Sequence, residues 1–287
     1  QLFLDANNPE SKAKLIAPLK DNVKYGAEHW GEDFYILTNE NAPNYKLMKT
    51  PVSSPEKKNW KEFIPENPDV LLDYVQTFKD FLLLQEVKEG LNKIRLIYWD
   101  TKMEKDIPFD EQAYLASVGI NAEFGSKVVR FEYQSMTTPN STYDYNTETG
   151  EKTLVKQQEV LGGFDKNLYQ TERLMAKVRD GVMVPVSIVY RKDKFKKNGS
   201  NPCLQYAYGS YGYSMSPYFS SSRISLLDRG FVYAIAHIRG GQEMGGKWYD
   251  DRKMMKKKNT FFDFIDCGKY LVDQKYAASD KLFAQGG

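Results

Sequence analysis

Three short apolar runs recur at an equal interval. Phe34-Tyr35-Ile36-Leu37, Phe81-Leu82-Leu83-Leu84 and Val128-Val129-Arg130-Phe131 begin 47 residues apart. Each is followed by a polar turn and a second run, at 44–50, 93–101 and 141–150. Outer segments follow at 60–67, 103–110 and 151–157. A period in the forties, made of four short strands with no helical stretch, predicts β-propeller blades. One such sheet cannot bury both faces, so neighbours must stack. Three units cover roughly residues 20 to 157, and residues 1–16 read as the outer strands of a preceding blade. Closed propellers have typically 4–8 blades. The chain is therefore expected to be a piece of a longer protein, with the last blades in residues 1–158.

The pattern changes after Gly162-Gly163, and residues 159–287 read as α/β. Alternating runs on either side of Asp180-Gly181 predict a hairpin over 173–192. A strand at 203–208 enters a Gly/Ser/Tyr-rich loop, and a short helix at 221–229 closes on Gly230. Residues 231–241 are continuously apolar up to Arg239-Gly240-Gly241, as in a parallel strand buried on both faces. In 259–276, Phe261, Phe264, Ile265, Gly268, Leu271 and Val272 recur at helical spacing, and Thr260 with Asp263 fits an N-terminal capping signal. The run Lys281-Leu282-Phe283-Ala284 then leads into Gly286-Gly287, as a buried strand enters a tight turn. Strand, helix, strand, helix, strand with short links predicts a parallel sheet with its site beyond the strands' carboxyl ends. Those ends are Tyr208–Tyr211, His237–Gly241 and Gly286–Gly287.

Composition narrows the function. A net charge of +2, from 40 basic and 38 acidic residues, gives no reason to expect nucleic acid or an anionic membrane as partner. No apolar run approaches the ~20 residues that span a bilayer. The sequence holds no phosphate-binding glycine pattern and no metal-ligand spacing, so neither cofactor nor metal is expected. Cys203 and Cys267 read as buried thiols. The basic run at 253–259 lies between Asp/Glu-bearing stretches and lacks interleaved aromatics, so nucleic acid is not expected there. The expected compartment is the cytoplasm, with the periplasm as the alternative.

Serine hydrolysis needs a nucleophile, a base, an orienting acid and an oxyanion hole. The two histidines do not supply a base: His29 starts a propeller strand and His237 lies inside a buried one. In α/β-hydrolases the order is Ser, then Asp or Glu, then His. A chain ending at the elbow would carry none of them. What it offers is Tyr208 and Tyr211 at a strand end. A hydroxyl there can donate to a developing oxyanion, and packing in a tyrosine-rich protein is the competing reading.

Six stretches taken together resemble the prolyl oligopeptidase family of serine peptidases, in particular its oligopeptidase B branch. They are YQSMTTP (133–139), RDGVMVPVSIVY (179–190), YAYGSYG (206–212), SRISLLDRGFVYAIAHIRGGQEMGGKWYDD (222–251), KKKNTFFDFIDC (256–267) and FAQGG (283–287). The resemblance implies a propeller that limits access to short peptides, joined to an α/β-hydrolase domain. It places the nucleophile serine immediately after Gly287, with Gly286 and Gly287 structural at the elbow. It implies that the Tyr208 hydroxyl forms half of the oxyanion hole, that Tyr211 lies near the substrate pocket and that Arg239, with Gly240 and Gly241 in a loop lining the cavity, is structural or substrate-adjacent. It also implies cleavage after Arg or Lys. Two departures stand out: Ala207 replaces a usual glycine, and Met215-Ser216-Pro217-Tyr218 lacks the acids that some relatives carry there. A Pro-specific peptidase of the same family, or a propeller-based binding module with a degenerate hydrolase-like tail, are the alternative functions. The chain alone is expected to be inactive.

Overall fold

A computed structural model describes residues 1–250 and 254–286. Gly287 and Lys253 of the basic run lie outside the described residues. The chain opens with an antiparallel pair, β1 (Leu2–Phe3) and β2 (Lys14–Leu15). Three four-stranded antiparallel sheets follow. The first is β3 (Tyr25–Trp30), β4 (Asp33–Thr38), β5 (Lys46–Pro51) and β6 (Lys61–Ile64). The second is β7 (Val70–Thr77), β8 (Phe81–Lys88), β9 (Leu91–Tyr98) and β10 (Glu104–Asp106). The third is β11 (Tyr114–Val118), β12 (Val128–Ser135), β13 (Ser141–Asn146) and β14 (Lys152–Gln157). In every sheet the strands run in sequence order, which is the meander of a propeller blade.

The 47-residue period falls on β4, β8 and β12, the second strand of each sheet. A strand precedes each one, so the apolar runs do not open the blades. The reason is burial. Phe81, Leu82, Leu83 and Leu84 of β8 are fully buried, whereas β3 and β11 hold small and polar residues and are only partly covered. Between the first and second sheets, Tyr35, Leu47, Leu72, Leu82, Leu84 and Trp99 share one apolar core. Trp30 stacks on Trp99 there, with ring centroids 4.4 Å apart.

The chain divides into two compact units. One holds Gln1–Glu86, Ile94–Asp106 and Ala122–Ser126, and the other holds Val87–Lys93, Ile107–Asn121 and Lys127–Gly287. The third sheet belongs to the second unit.

That unit also holds a five-stranded sheet. β15 (Tyr169–Lys177) and β16 (Met183–Arg191) form the hairpin expected around Asp180-Gly181, and Gly181 takes φ +85°, where a side chain would be strained. Then come β17 (Cys203–Tyr206), α1 (Ser221–Asp228), β18 (Val232–Ala236), α2 (Gly246–Asp250), α3 (Lys258–Asp273) and β19 (Leu282–Gln285). The strand order is β15-β16-β18-β17-β19, with β17 parallel to both β18 and β19. All five residues of β18 are buried, as continuous apolarity predicts for a strand covered on both faces. β19 forms one edge of the sheet, and Phe283 on it is half exposed. Val184, Val186, Ile188, Val232, Ala234, Cys267 and Leu271 meet in the main core of this sheet.

Helix α3 differs from its sequence reading. Phe261 and Ile265 face outward, while Thr260 and Asp263 are buried. The helix starts at Lys258, and no side chain caps its first turn. Thr260 and Asp263 are therefore not a capping pair. They reach across to the next layer, and their partners are part of the site. Among the described residues no helix is long and apolar enough to cross a membrane.

Candidate active site

Three strand ends come together at one edge of the parallel strands. The register pairs Tyr206 of β17 with Gln285 of β19 and with Ile235 of β18. The next residue of each outer strand continues the approach. A Cβ added to Gly286 would stand 2.9 Å from the Ala207 carbonyl oxygen, so only glycine fits beside that backbone. Tyr208 follows Ala207 directly. Its ring is partly buried, packs against the cluster that holds Tyr169, Met215 and Leu227, and meets Tyr213 edge-on with centroids 5.9 Å apart. Among the described residues its hydroxyl has no hydrogen-bond partner. The side chain is thus held by its ring and free at its oxygen, as a donor awaiting an acceptor would be.

The loop that carries Tyr208 is built on glycines. Gly209 and Gly212 take φ +66° and +67°. A Cβ on Gly209 would come within 2.7 Å of both Ile238 and Thr260, and one on Gly240 would come within 2.1 Å of the Gly209 carbonyl oxygen. The loop and the end of β18 therefore lie backbone against backbone, and Gly212 N donates to Gly240 O at 3.0 Å. Tyr211 sits between the two glycines at φ +57° and is 87% exposed. It projects into solvent at the loop tip.

Arg239 is the most heavily bonded of the expected site residues. It is 3% exposed, and all three guanidinium nitrogens are engaged. Nε donates to Asp263 Oδ2 at 2.6 Å, Nη2 to Asp263 Oδ1, and Nη1 to Asp180 Oδ2 at 2.7 Å. Its backbone N–H also donates to Asp263 at 3.1 Å, and its carbonyl accepts from Thr260 Oγ1 at 2.8 Å. Burial opposes the charge, but the Asp263 and Asp180 carboxylates outweigh it and hold the Arg239 pKa above its usual value. The guanidinium and the backbone N–H of Arg239 are thus tied to α3 and to the Asp180 turn.

Lys257, just before α3, donates from Nζ to the Gly209 carbonyl and to Ser210 Oγ. Burial pushes its pKa down. Lys257, Thr260 and Asp263 are thus three successive holds on one helix start. Sequence reasoning missed them as site residues. The available signal was an acid and a hydroxyl beside the aromatics Phe261, Phe262 and Phe264 in the first turns of the helix.

A second buried group lies at the far end of the loop. Glu243 Oε1 accepts from Met215 N at 2.9 Å, while its Oε2 has no hydrogen-bond partner. Burial raises its pKa to about 7. His237 is fully buried, with Nε2 on Ser187 Oγ at 2.7 Å and Nδ1 without a partner. Burial, helped by the Arg173 charge, lowers its pKa to about 3. It is neutral at physiological pH, pinned in the core, and not placed as a base. His29 is exposed on β3 and bonds the Gly31 carbonyl. Cys203 and Cys267 are both buried and unpaired.

Comparison with known proteins gives a consistent picture. Residues 2–158 match the family model described as the N-terminal β-propeller domain of prolyl oligopeptidase, and residues 217–287 match the model described as the prolyl oligopeptidase family. The chain is 46% identical over 275 residues to dipeptidyl aminopeptidase BI of Pseudoxanthomonas mexicana, covering 95% of this chain and 38% of that protein. It is 36% identical over 285 residues to protease 2 of Moraxella lacunata, covering 99% of this chain and 41% of that one. Among solved structures, oligopeptidase B from Leishmania major superposes with a TM-score of 0.85 at 32% identity, covering 98% of this chain and 40% of that one. Oligopeptidase B from Trypanosoma brucei with covalently bound antipain also gives 0.85, at 33% identity, covering 96% of this chain and 40% of that one. The chain spans about two-fifths of the length of these relatives.

Proposed function

Because this chain belongs to the prolyl oligopeptidase family, we propose that it is part of a serine oligopeptidase, with the last propeller blades in residues 1–158 and the first part of the catalytic domain in 159–287. The nucleophile, acid and base come from residues after Gly287. The serine attacks the peptide carbonyl, the histidine takes its proton and returns it to the leaving amine, and the acid orients the histidine. Tyr208 donates its hydroxyl to the oxyanion of the tetrahedral intermediate, opposite a backbone N–H that follows the serine. What supports this role is one observation: Gly286 lies against the backbone of Ala207, next to a Tyr208 hydroxyl that has no hydrogen-bond partner among the described residues. Short peptides cut after Arg or Lys are the substrates, and the remainder of the same protein is the partner. Nucleic acid and membrane play no part.

A second reading of specificity has its own support. The 46% identity to a dipeptidyl aminopeptidase favours release of dipeptides from a free N-terminus. The two readings separate on paired substrates of the full-length protein. An N-terminally blocked Arg-peptide amide is cleaved by an oligopeptidase, and only an unblocked dipeptide amide is cleaved by a dipeptidyl aminopeptidase. In either case Tyr208→Phe is expected to lower kcat by roughly 10²–10³ with KM little changed, the usual loss for one oxyanion donor. Unchanged turnover with several substrates would remove Tyr208 from the mechanism. The chain without its remainder is expected to show no turnover, and hydrolysis by the pure chain would refute that.

A further inference from the structure

We infer that Asp263 is a positioning residue for Tyr208, acting through Arg239 and Gly240. The inference rests on the reading of Tyr208 as an oxyanion donor. The path is continuous. Asp263 is fully buried on α3 and binds both the backbone N–H and the guanidinium of Arg239. That fixes the end of β18 at the residue before Gly240. Gly240 takes φ +118° and lies so close to the Gly209 carbonyl that no side chain fits between them. Its own carbonyl accepts from Gly212 N. The loop residue next to Tyr208 is thus seated directly on the backbone that Asp263 holds. Two further bonds from the same helix start reinforce the seat. Thr260 Oγ1 donates to the Arg239 carbonyl, and Lys257 Nζ donates to the Gly209 carbonyl and Ser210 Oγ. None of these groups is placed to touch substrate. They set where the Tyr208 oxygen stands, and an oxyanion donor works only within a few tenths of an ångström of its required position.

A single carboxylate suits this task. It accepts three bonds in a fork that fixes both the plane of the guanidinium and the peptide unit behind it, which a neutral amide of the same shape cannot do. Asp263→Asn should therefore leave the helix in place and loosen the strand end.

The test uses the full-length protein. Asp263→Asn is expected to lower kcat for a peptide amide roughly 10- to 100-fold with KM little changed, the scale for a misplaced catalytic group. In the Tyr208→Phe background the same substitution should cost no more than about twofold, because the group it positions is already gone. Hydrogen exchange of the segment 208–215 should also speed up in Asp263→Asn. An equal loss in both backgrounds makes Asp263 merely structural and overturns the inference, as does unchanged exchange in 208–215. If Asp263→Asn does not fold, Thr260→Val and Lys257→Met remove the flanking holds without burying a lone charge. They should show the same kcat-selective loss, dependent on Tyr208, and a loss independent of Tyr208 overturns the inference. If the unmodified full-length protein cleaves no peptide amide, the peptidase reading fails on its own. The exchange measurement then decides alone whether Asp263 holds the loop: faster exchange sustains it, and unchanged exchange overturns it.

Discussion

Two buried polar groups meet the ends of the Tyr208 loop, and they are built on opposite principles. At Gly209–Gly212 the backing group is closed. Each guanidinium nitrogen of Arg239 has a carboxylate partner, and Asp263 accepts from both backbone and side chain. At Met215 the backing group is open. Among the described residues, Glu243 Oε2, His237 Nδ1 and, in the same unit, Arg173 Nη2 are buried without a hydrogen-bond partner. A buried ion pair that is fully satisfied is costly to break. A buried group with free valence does the reverse: it is cheap to neutralise and shifts with pH. One end of the loop is therefore architectural and the other is titratable.

The largest test breaks the closed group. Asp263→Ala or Arg239→Ala leaves an uncompensated charge inside the unit, and about 3–5 kcal/mol of unfolding free energy should be lost. A denaturant midpoint within error of wild type would mean that water or a neighbouring side chain replaces the missing partner, and that the closed group is less closed than its geometry.

The next test concerns the open group. Burial raises the pKa of Glu243 from 4.5 to about 7, so the folded state prefers its protonated form. Its contribution to stability is complete below about pH 4.5 and disappears as pH rises to about 7. Glu243→Gln should remove a fall of roughly 3 kcal/mol over that window. His237 works in the opposite direction. Its pKa falls from 6.5 to about 3, so its contribution is present above pH 6.5 and is lost on acidification. Stability-versus-pH curves of Glu243→Gln and His237→Gln should therefore depart from wild type in opposite senses. If Glu243→Gln leaves the curve unchanged, the carboxylate has a partner and the contrast between the two ends collapses.

The smallest effect sharpens the loop itself. Tyr211 is a non-glycine residue at positive φ with an exposed ring. Tyr211→Gly should relieve about 1 kcal/mol of backbone strain. A rise in KM alongside that gain would place the ring at the substrate, and an unchanged KM would leave Tyr211 as a turn residue.

The sequence disclosed the fold better than it disclosed the roles. The equal spacing of Phe34, Phe81 and Val128 made the blades legible because β4 and β8 bury consecutive apolar residues and β12 buries Val129, Phe131 and Tyr133 on one face. The strands before them were invisible to that signal, since Gly26, Ala27, Ala116 and Ser117 give weak alternation. The hairpin at Asp180-Gly181 and the parallel strands could be read from local chemistry alone. Thr260 and Asp263 could not. Spacing by three near a helix start is the same whether the pair caps its own helix or crosses to a strand, and only the approach of Arg239 decides between them. The choice between a structural and a substrate-adjacent Arg239 was open in the sequence for a related reason. An arginine after a buried strand looks alike from sequence whether its charge meets a ligand or a carboxylate from another element.

The edge strand β19 has a consequence apart from chemistry. Its outer row of N–H and C=O groups is unpaired in the sheet order, and Phe283 stands half exposed beside it. Such an edge is a template for another strand. A strand added there would pair along Leu282–Gln285 by main-chain hydrogen bonds and would cover Phe283 as it did so.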